Sequence, residues 1–273
     1  MTTTLITGTS SGMGLHAAIA LARRGHRVIA TLRRPDAAHE LRSAAASAGV
    51  ELDLRALDVT DEEACSSVVA AVQEQYGGID VLVNNAGLGM VGTAEQLSME
   101  AVEEQIAVNY LAPVRLTKLV LPGMREAGHG RILSVTSVGG AVGQPFADAY
   151  CGAKFALEGF MQSLAPVAER CGVHVSVMEP AAVASSFVEN AVRPEVEDGP
   201  YAELLGAYYR RTEGAFAAAQ SAESAGEAIA AAACDPSPVF RYQSSEGATA
   251  FVSASLADTD GERVLGFTRG WLD

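Results

Sequence analysis

Short apolar, β-branched runs alternate along this chain with longer stretches in which apolar residues recur at helical spacing. The runs predict strands over residues 3–7, 27–31, 52–57, 81–84, 131–135 and 174–178, and the longer stretches predict helices over 12–24, 37–47, 61–76, 99–126 and 150–171. Strand, helix, strand repeated in this way requires crossover connections, so the strands lie parallel with helices on both faces. Wholly apolar runs such as Val81-Leu82-Val83 suit strands covered on both sides. The expected fold class is α/β, a doubly wound parallel sheet of the Rossmann type.

Past residue 178 the regularity changes. A segment holding Pro180, Pro194, Gly199 and Pro200 reads as a lid rather than a linker, because helical patterns resume over 201–219 and 221–233. A last strand candidate covers 239–242, and 243–273 reads as an irregular tail. With no internal repeat, residues 1–273 are expected to form one domain, its helical lid at about 180–220.

The chain is 49% hydrophobic, enough for a large core. Its 19 basic against 33 acidic residues give a net charge of −14, which excludes a nucleic-acid-binding or anionic-membrane surface. Against that acidic background Arg23, Arg24, Arg27, Arg33 and Arg34 form a local basic spot. Cys65, Cys151, Cys171 and Cys234 lie far apart with no Cys-x-x-Cys pair, so neither a metal site nor a disulfide framework is indicated. The expectation is reduced thiols in a cytoplasmic protein, with no signal segment and no apolar run of the ~18 residues a membrane span needs.

The first strand runs into Thr7-Gly8-Thr9-Ser10-Ser11-Gly12-Met13-Gly14, which opens an apolar helix. Glycines there let backbone N–H groups and the helix N-terminus approach a pyrophosphate, so strand, glycine turn and helix together read as a dinucleotide site. The second strand ends Thr31-Leu32-Arg33-Arg34, without the acid that bonds a ribose 2′-hydroxyl. Arg33, assisted by Arg34, suits a 2′-phosphate instead, which makes NADP(H) the expected cofactor.

Tyr150 and Lys154 stand four residues apart, on one helix face. Among seven Tyr and two Lys such a pair arises by chance only about 0.05 times. A neighbouring ammonium is expected to lower the phenol pKa towards the working range of a general acid or base. Ser137, after the strand over 131–135, emerges where ligands bind in such sheets and suits a hydrogen-bond donor to a substrate oxygen. The five His have no triad-like setting and read as structural or exposed.

Together these elements resemble the short-chain dehydrogenase/reductase family from Thr4 to about Ala233. The resemblance rests on Gly8-x3-Gly12-x-Gly14, Asp58-Val59, Asn84-Asn85-Ala86-Gly87, Asn109, Ser137 and Tyr150-x3-Lys154. It implies that Gly8, Ser10, Ser11, Gly12, Met13 and Gly14 hold the pyrophosphate and adenosine ribose, that Asp58, with Val59 beside it, meets the adenine, and that Asn85, Ala86 and Gly87 pass close to the dinucleotide. It implies a catalytic tetrad of Asn109, Ser137, Tyr150 and Lys154, in which Tyr150 protonates a carbonyl oxygen as hydride arrives. Ser137 polarises that carbonyl, Lys154 holds the nicotinamide ribose, and Asn109 positions a water.

The stretches Asn85-Ala86-Gly87-Leu88-Gly89, Ser137-Val138-Gly139-Gly140 and Tyr150 to Gly159 look like the type 1 17β-hydroxysteroid dehydrogenase branch, which includes retinol dehydrogenases. That branch implies NADP(H) and a bulky hydrophobic ketone or secondary alcohol. After the sixth strand the chain reads Glu179-Pro180-Ala181-Ala182-Val183-Ala184-Ser185 in place of the family's Pro-Gly, so Pro180, Val183 and Ser185 stand in at the nicotinamide. No His follows His174, which argues against steroid specificity, while Phe187, Val188, Leu204, Leu205, Tyr208, Tyr209 and Phe216 keep the lid apolar. The alternatives are a non-catalytic NADP(H)-binding redox sensor and an epimerase or dehydratase. A homodimer or homotetramer built through the long helices is expected.

Overall fold

The structure is a computed structural model that describes residues 1–185, 199–217 and 219–262. Seven strands, β1 (Thr3–Thr7), β2 (Arg27–Leu32), β3 (Asp53–Ala56), β4 (Val81–Asn84), β5 (Gly130–Val135), β6 (Val173–Glu179) and β9 (Arg241–Gln243), form one sheet. Their order is β3-β2-β1-β4-β5-β6-β9 and every pairing is parallel. A separate parallel pair joins β7 (Val183–Ala184) to β8 (Gln220–Ser221).

Period-two alternation sends neighbouring strand residues to opposite faces. Ile6, Val28 and Ala30 pack on one face against α1 (Gly12–Arg23), α2 (His39–Ala48) and α8 (Ala222–Cys234), through Leu15, Leu21, Leu41 and Ile229. On the other, Leu5, Ile29, Leu82 and Ile132 pack against α3 (Glu62–Tyr76), α5 (Ala112–Ala127) and α6 (Asp148–Glu169), through Val69, Leu116, Val120, Leu157 and Met161. Winding proceeds outward from β1 to β3, then returns to β4 on the other side of β1. The loops after β1 and β4 therefore diverge, and a crevice opens between them at the carboxyl ends of the strands.

The helix expected over 99–126 is interrupted. α4 (Met99–Ile106) passes through a π-turn (Ala107–Leu111) into α5, and such turns mark functional positions. The tail expected to be irregular contains α9 (Glu246–Ser253), capped by Ser245 and packed through Ala248 and Val252 against Val138 and Ala141. α7 (Ala202–Ala217) falls within residues 180–220, where a lid was expected. Among the described residues no helix is long and apolar enough to cross a membrane.

Candidate active site

Thr7 ends β1 and ties the two diverging loops together. Its Oγ1 accepts from the backbone N–H of Asn85 and of Ala86, each at 3.0 Å, while Asn85 Nδ2 donates to Thr7 O at 2.8 Å and Gly8 O at 3.0 Å. A Cβ on Gly14 would stand 2.2 Å from Gly8 O and 2.3 Å from Asn85 Nδ2, so the turn closes only with glycine there. Gly8 and Gly12 adopt φ of +69° and +58°. The first turn of α1 carries no acidic side chain, leaving its positive end to an outside anion. These features fit a bound dinucleotide pyrophosphate.

Arg33 and Arg34 follow β2 and are exposed; Asp58 follows β3 and is exposed too. Asp58 Oδ1 accepts from Thr60 N at 2.9 Å and from Thr60 Oγ1 at 2.7 Å, and these bonds, with the nearby Arg33 charge, hold its carboxyl below the usual range. Arg33 and Asp58 thus lie close enough for their charges to interact. Val59 is partly buried against the core under α3 and α5, and its carbonyl accepts from Arg115 at 3.1 Å.

Asn109 sits in the π-turn, fully buried. Its Nδ2 donates to Leu88 O at 2.8 Å and its Oδ1 accepts from Leu88 N at 3.0 Å, so it grips the loop that follows Asn85-Ala86-Gly87 from both sides. Ser137, just past β5, accepts from Gly139 N at 3.0 Å and donates to Pro180 O at 3.5 Å, and it also bonds Tyr150. Lys154 is buried, its Nζ donating to Val135 O at 3.0 Å and lying 5.9 Å from the Tyr150 ring centroid. The structure therefore brings Ser137, Tyr150 and Lys154 together, while Asn109 holds the Leu88 loop.

One expectation is corrected. Tyr150 is not made more acidic by its neighbour: burial pushes the phenol up to about 12, against the Ser137 hydrogen bond that favours phenolate. Burial likewise lowers Lys154 to about 8, opposed by the Glu158 carboxylate. The ammonium is turned to a backbone carbonyl nearly 6 Å from the ring, and desolvation wins.

Pro180 is buried and Val183 sits buried in β7. Ser185 Cβ lies 3.2 Å from where a Gly12 Cβ would be, so the segment after β6 closes over the glycine turn. Of the lid residues, Leu205 is buried, Leu204 is exposed, and the Tyr208 ring packs on Tyr209 and on Phe146. Phe187, Val188 and the Phe216 side chain lie outside the described residues.

Sequence reasoning missed Phe146, a buried aromatic held at φ +58° just before α6, a conformation that costs a bulky residue energy and clusters at functional sites. It also missed a buried ionic cluster behind Lys154. Arg241 bridges Glu158 and Glu179, donating to Glu179 Oε1 at 2.6 Å; Thr136 Oγ1 donates to Glu158 Oε1 at 2.8 Å, and Gln243 Nε2 to Glu179 Oε2 at 2.6 Å.

Residues 2–196 match the family model described as short chain dehydrogenase. The chain belongs to the short-chain dehydrogenase family. It is 39% identical to the 17-beta-hydroxysteroid dehydrogenase type 1 of Mus musculus over 252 residues, covering 88% of this chain and 73% of that one. It is 41% identical to human retinol dehydrogenase 8 over 189 residues, covering 68% and 60%. A solved actinorhodin polyketide ketoreductase with NADPH superposes with a TM-score of 0.74 at 29% identity, covering 89% of this chain and 95% of that one. The chain is thus an oxidoreductase of this family, near the hydroxysteroid and retinol dehydrogenase branch, with a nicotinamide cofactor.

Proposed function

We propose that this short-chain dehydrogenase is NADP(H)-dependent and interconverts a ketone and a secondary alcohol on a bulky hydrophobic molecule of steroid, retinoid or polyketide type. The observation that carries the reading is the Ser137, Tyr150 and Lys154 cluster at the carboxyl end of β5, beside the glycine turn. Bound nicotinamide would supply or accept the hydride. The glycine turn and the N-terminus of α1 would hold its pyrophosphate, Asp58 and Val59 its adenine, and Arg33 with Arg34 the 2′-phosphate. Asn85, Ala86, Gly87, Pro180, Val183 and Ser185 would line the crevice beside it.

Ser137 and Tyr150 present two hydroxyls to one substrate oxygen. Ser137 donates to the carbonyl and polarises it; Tyr150, neutral at physiological pH, delivers the proton from its phenol. Lys154 would hold the ribose and stabilise the phenolate left behind, while Asn109 fixes the Leu88 loop and would position a water. Alcohol oxidation needs that phenolate, so its rate rises with pH through the neutral range, whereas ketone reduction does not need it.

The same intact cluster argues against a redox sensor that only binds nucleotide. Exposed Leu111, just before α5, and Phe155, on α6, support assembly into a homodimer or homotetramer through these helices, and the free cysteines support a cytoplasmic setting. The test is NADPH consumption by the purified protein across decalones, steroids, retinals and quinones. Turnover of at least one lipophilic carbonyl is expected; binding of NADPH without turnover of any would favour the sensor.

A further inference from the structure

The first turns of α6 place Tyr150, Lys154 and Glu158 at successive spacings of four, so all three share one face. The proposed chemistry uses the first two. Glu158 is 3% exposed and is met from three other elements: Thr136 at the end of β5, Arg241 from β9 and, across that arginine, Glu179 from β6. A Cβ on Gly140 would stand 2.7 Å from Glu158 Oε1, so the loop after Ser137 seals the carboxylate from above. Gln243 holds the outer oxygen of Glu179 and donates also to Thr259 O at 2.9 Å, which ties the cluster to the segment after α9.

Two carboxylates on one buried arginine, next to one buried ammonium, make a nearly neutral set. Removing any one member leaves an uncompensated buried charge, which is far costlier than removing a matched pair. Lys154 has its own hydrogen bond to Val135 O, but a carbonyl is no counter-charge. Among the described residues, Glu158 is the charged group that favours the ammonium, and burial acts in the opposite direction.

Resting on the proposed role of Lys154, we propose that Glu158, held by Arg241 and Glu179, is a positioning residue that keeps Lys154 charged in its dry pocket. The last strand of the sheet is thereby coupled to the proton-transfer site. Burial, joined by the like charge of Glu158, raises Glu179 to about 7, so the cluster adjusts its own protonation near neutrality.

The chain has only two lysines, and Lys118 is exposed, so protein labelled with ¹³C at lysine Cε gives one buried signal and one internal control. Glu158→Gln should move the Lys154 titration midpoint down by about one pH unit or more, leaving Lys118 in place. Arg241→Gln, which removes the competing positive charge, should move it the other way. The alkaline limb of the pH profile for ketone reduction should follow each shift. Glu158 acting only as a structural prop would lower stability and rate at every pH without moving either midpoint. A folded Glu158→Gln with an unchanged Lys154 midpoint would overturn the proposal; should that variant not fold, an unchanged or lowered midpoint in Arg241→Gln would do so. If the midpoints shift but the rate profile stays put, the counter-charge stands and the proposed role of Lys154 falls.

Discussion

At Tyr150 two effects oppose each other, and their balance decides which direction of chemistry the free site is set for. Charge proximity along the sequence suggests an acidified phenol; burial among packed residues raises it to about 12, leaving a proton donor at neutral pH. A spacing of four residues shows that two side chains share a face but not that the cation points at the ring, and here it points at Val135 O. Arg33 is the opposite case, since its proposed role follows from its place just after β2 and needs no buried geometry. Arg33→Ala should weaken NADPH binding about tenfold to a hundredfold while barely changing NADH binding, as loss of a charge-assisted contact to one phosphate predicts. Calorimetric titration with both nucleotides checks this, and equal losses would remove the phosphate assignment. Phe146 left no trace in the sequence, because no pattern marks a bulky residue forced to positive φ.

Among the elements, the strands and the helices on each face were legible because period-two and helical spacing report burial directly, and the parallel pairing followed from the crossovers. The π-turn at Ala107–Leu111 lies inside the stretch 99–126 that the sequence reading took as one continuous helix. That turn lets Asn109 reach both backbone atoms of Leu88. Asn109→Ala leaves the part-buried Leu88 N–H without its acceptor, and should lower stability by about 1–3 kcal/mol in urea unfolding, together with a fall in kcat. Gly14→Ala acts on the facing loop. With backbone 2.2 Å from the new Cβ the turn must open, and nucleotide affinity should fall at least tenfold in the same titration, whichever nucleotide is used.

Across the whole molecule, the buried cluster of Glu158, Glu179 and Arg241 links strands at one side of the sheet to the site at its centre. Glu158 was within reach of sequence reasoning, one turn beyond Lys154, but Glu179 and Arg241 come from distant segments and only the fold unites them. Glu179 is raised from an ordinary 4.5 to about 7 by burial and the neighbouring Glu158 charge. The folded state therefore holds a proton that the unfolded chain has released, and stability is lost as pH rises from about 4.5 through 7. Urea unfolding across that window should show the decline, and Glu179→Gln should flatten it; an equal slope in the variant would contradict the assignment. The central claim is that Tyr150 is the proton donor in a catalytic site rather than a residue of a nucleotide-binding shell. Comparing wild type with Tyr150→Phe in NADPH consumption against a lipophilic ketone, with NADPH affinity measured in parallel, tests it most directly. Tyr150→Phe should lose about a hundredfold to ten-thousandfold in kcat with nucleotide affinity nearly unchanged; equal consumption by the two proteins would rule out Tyr150 as the donor.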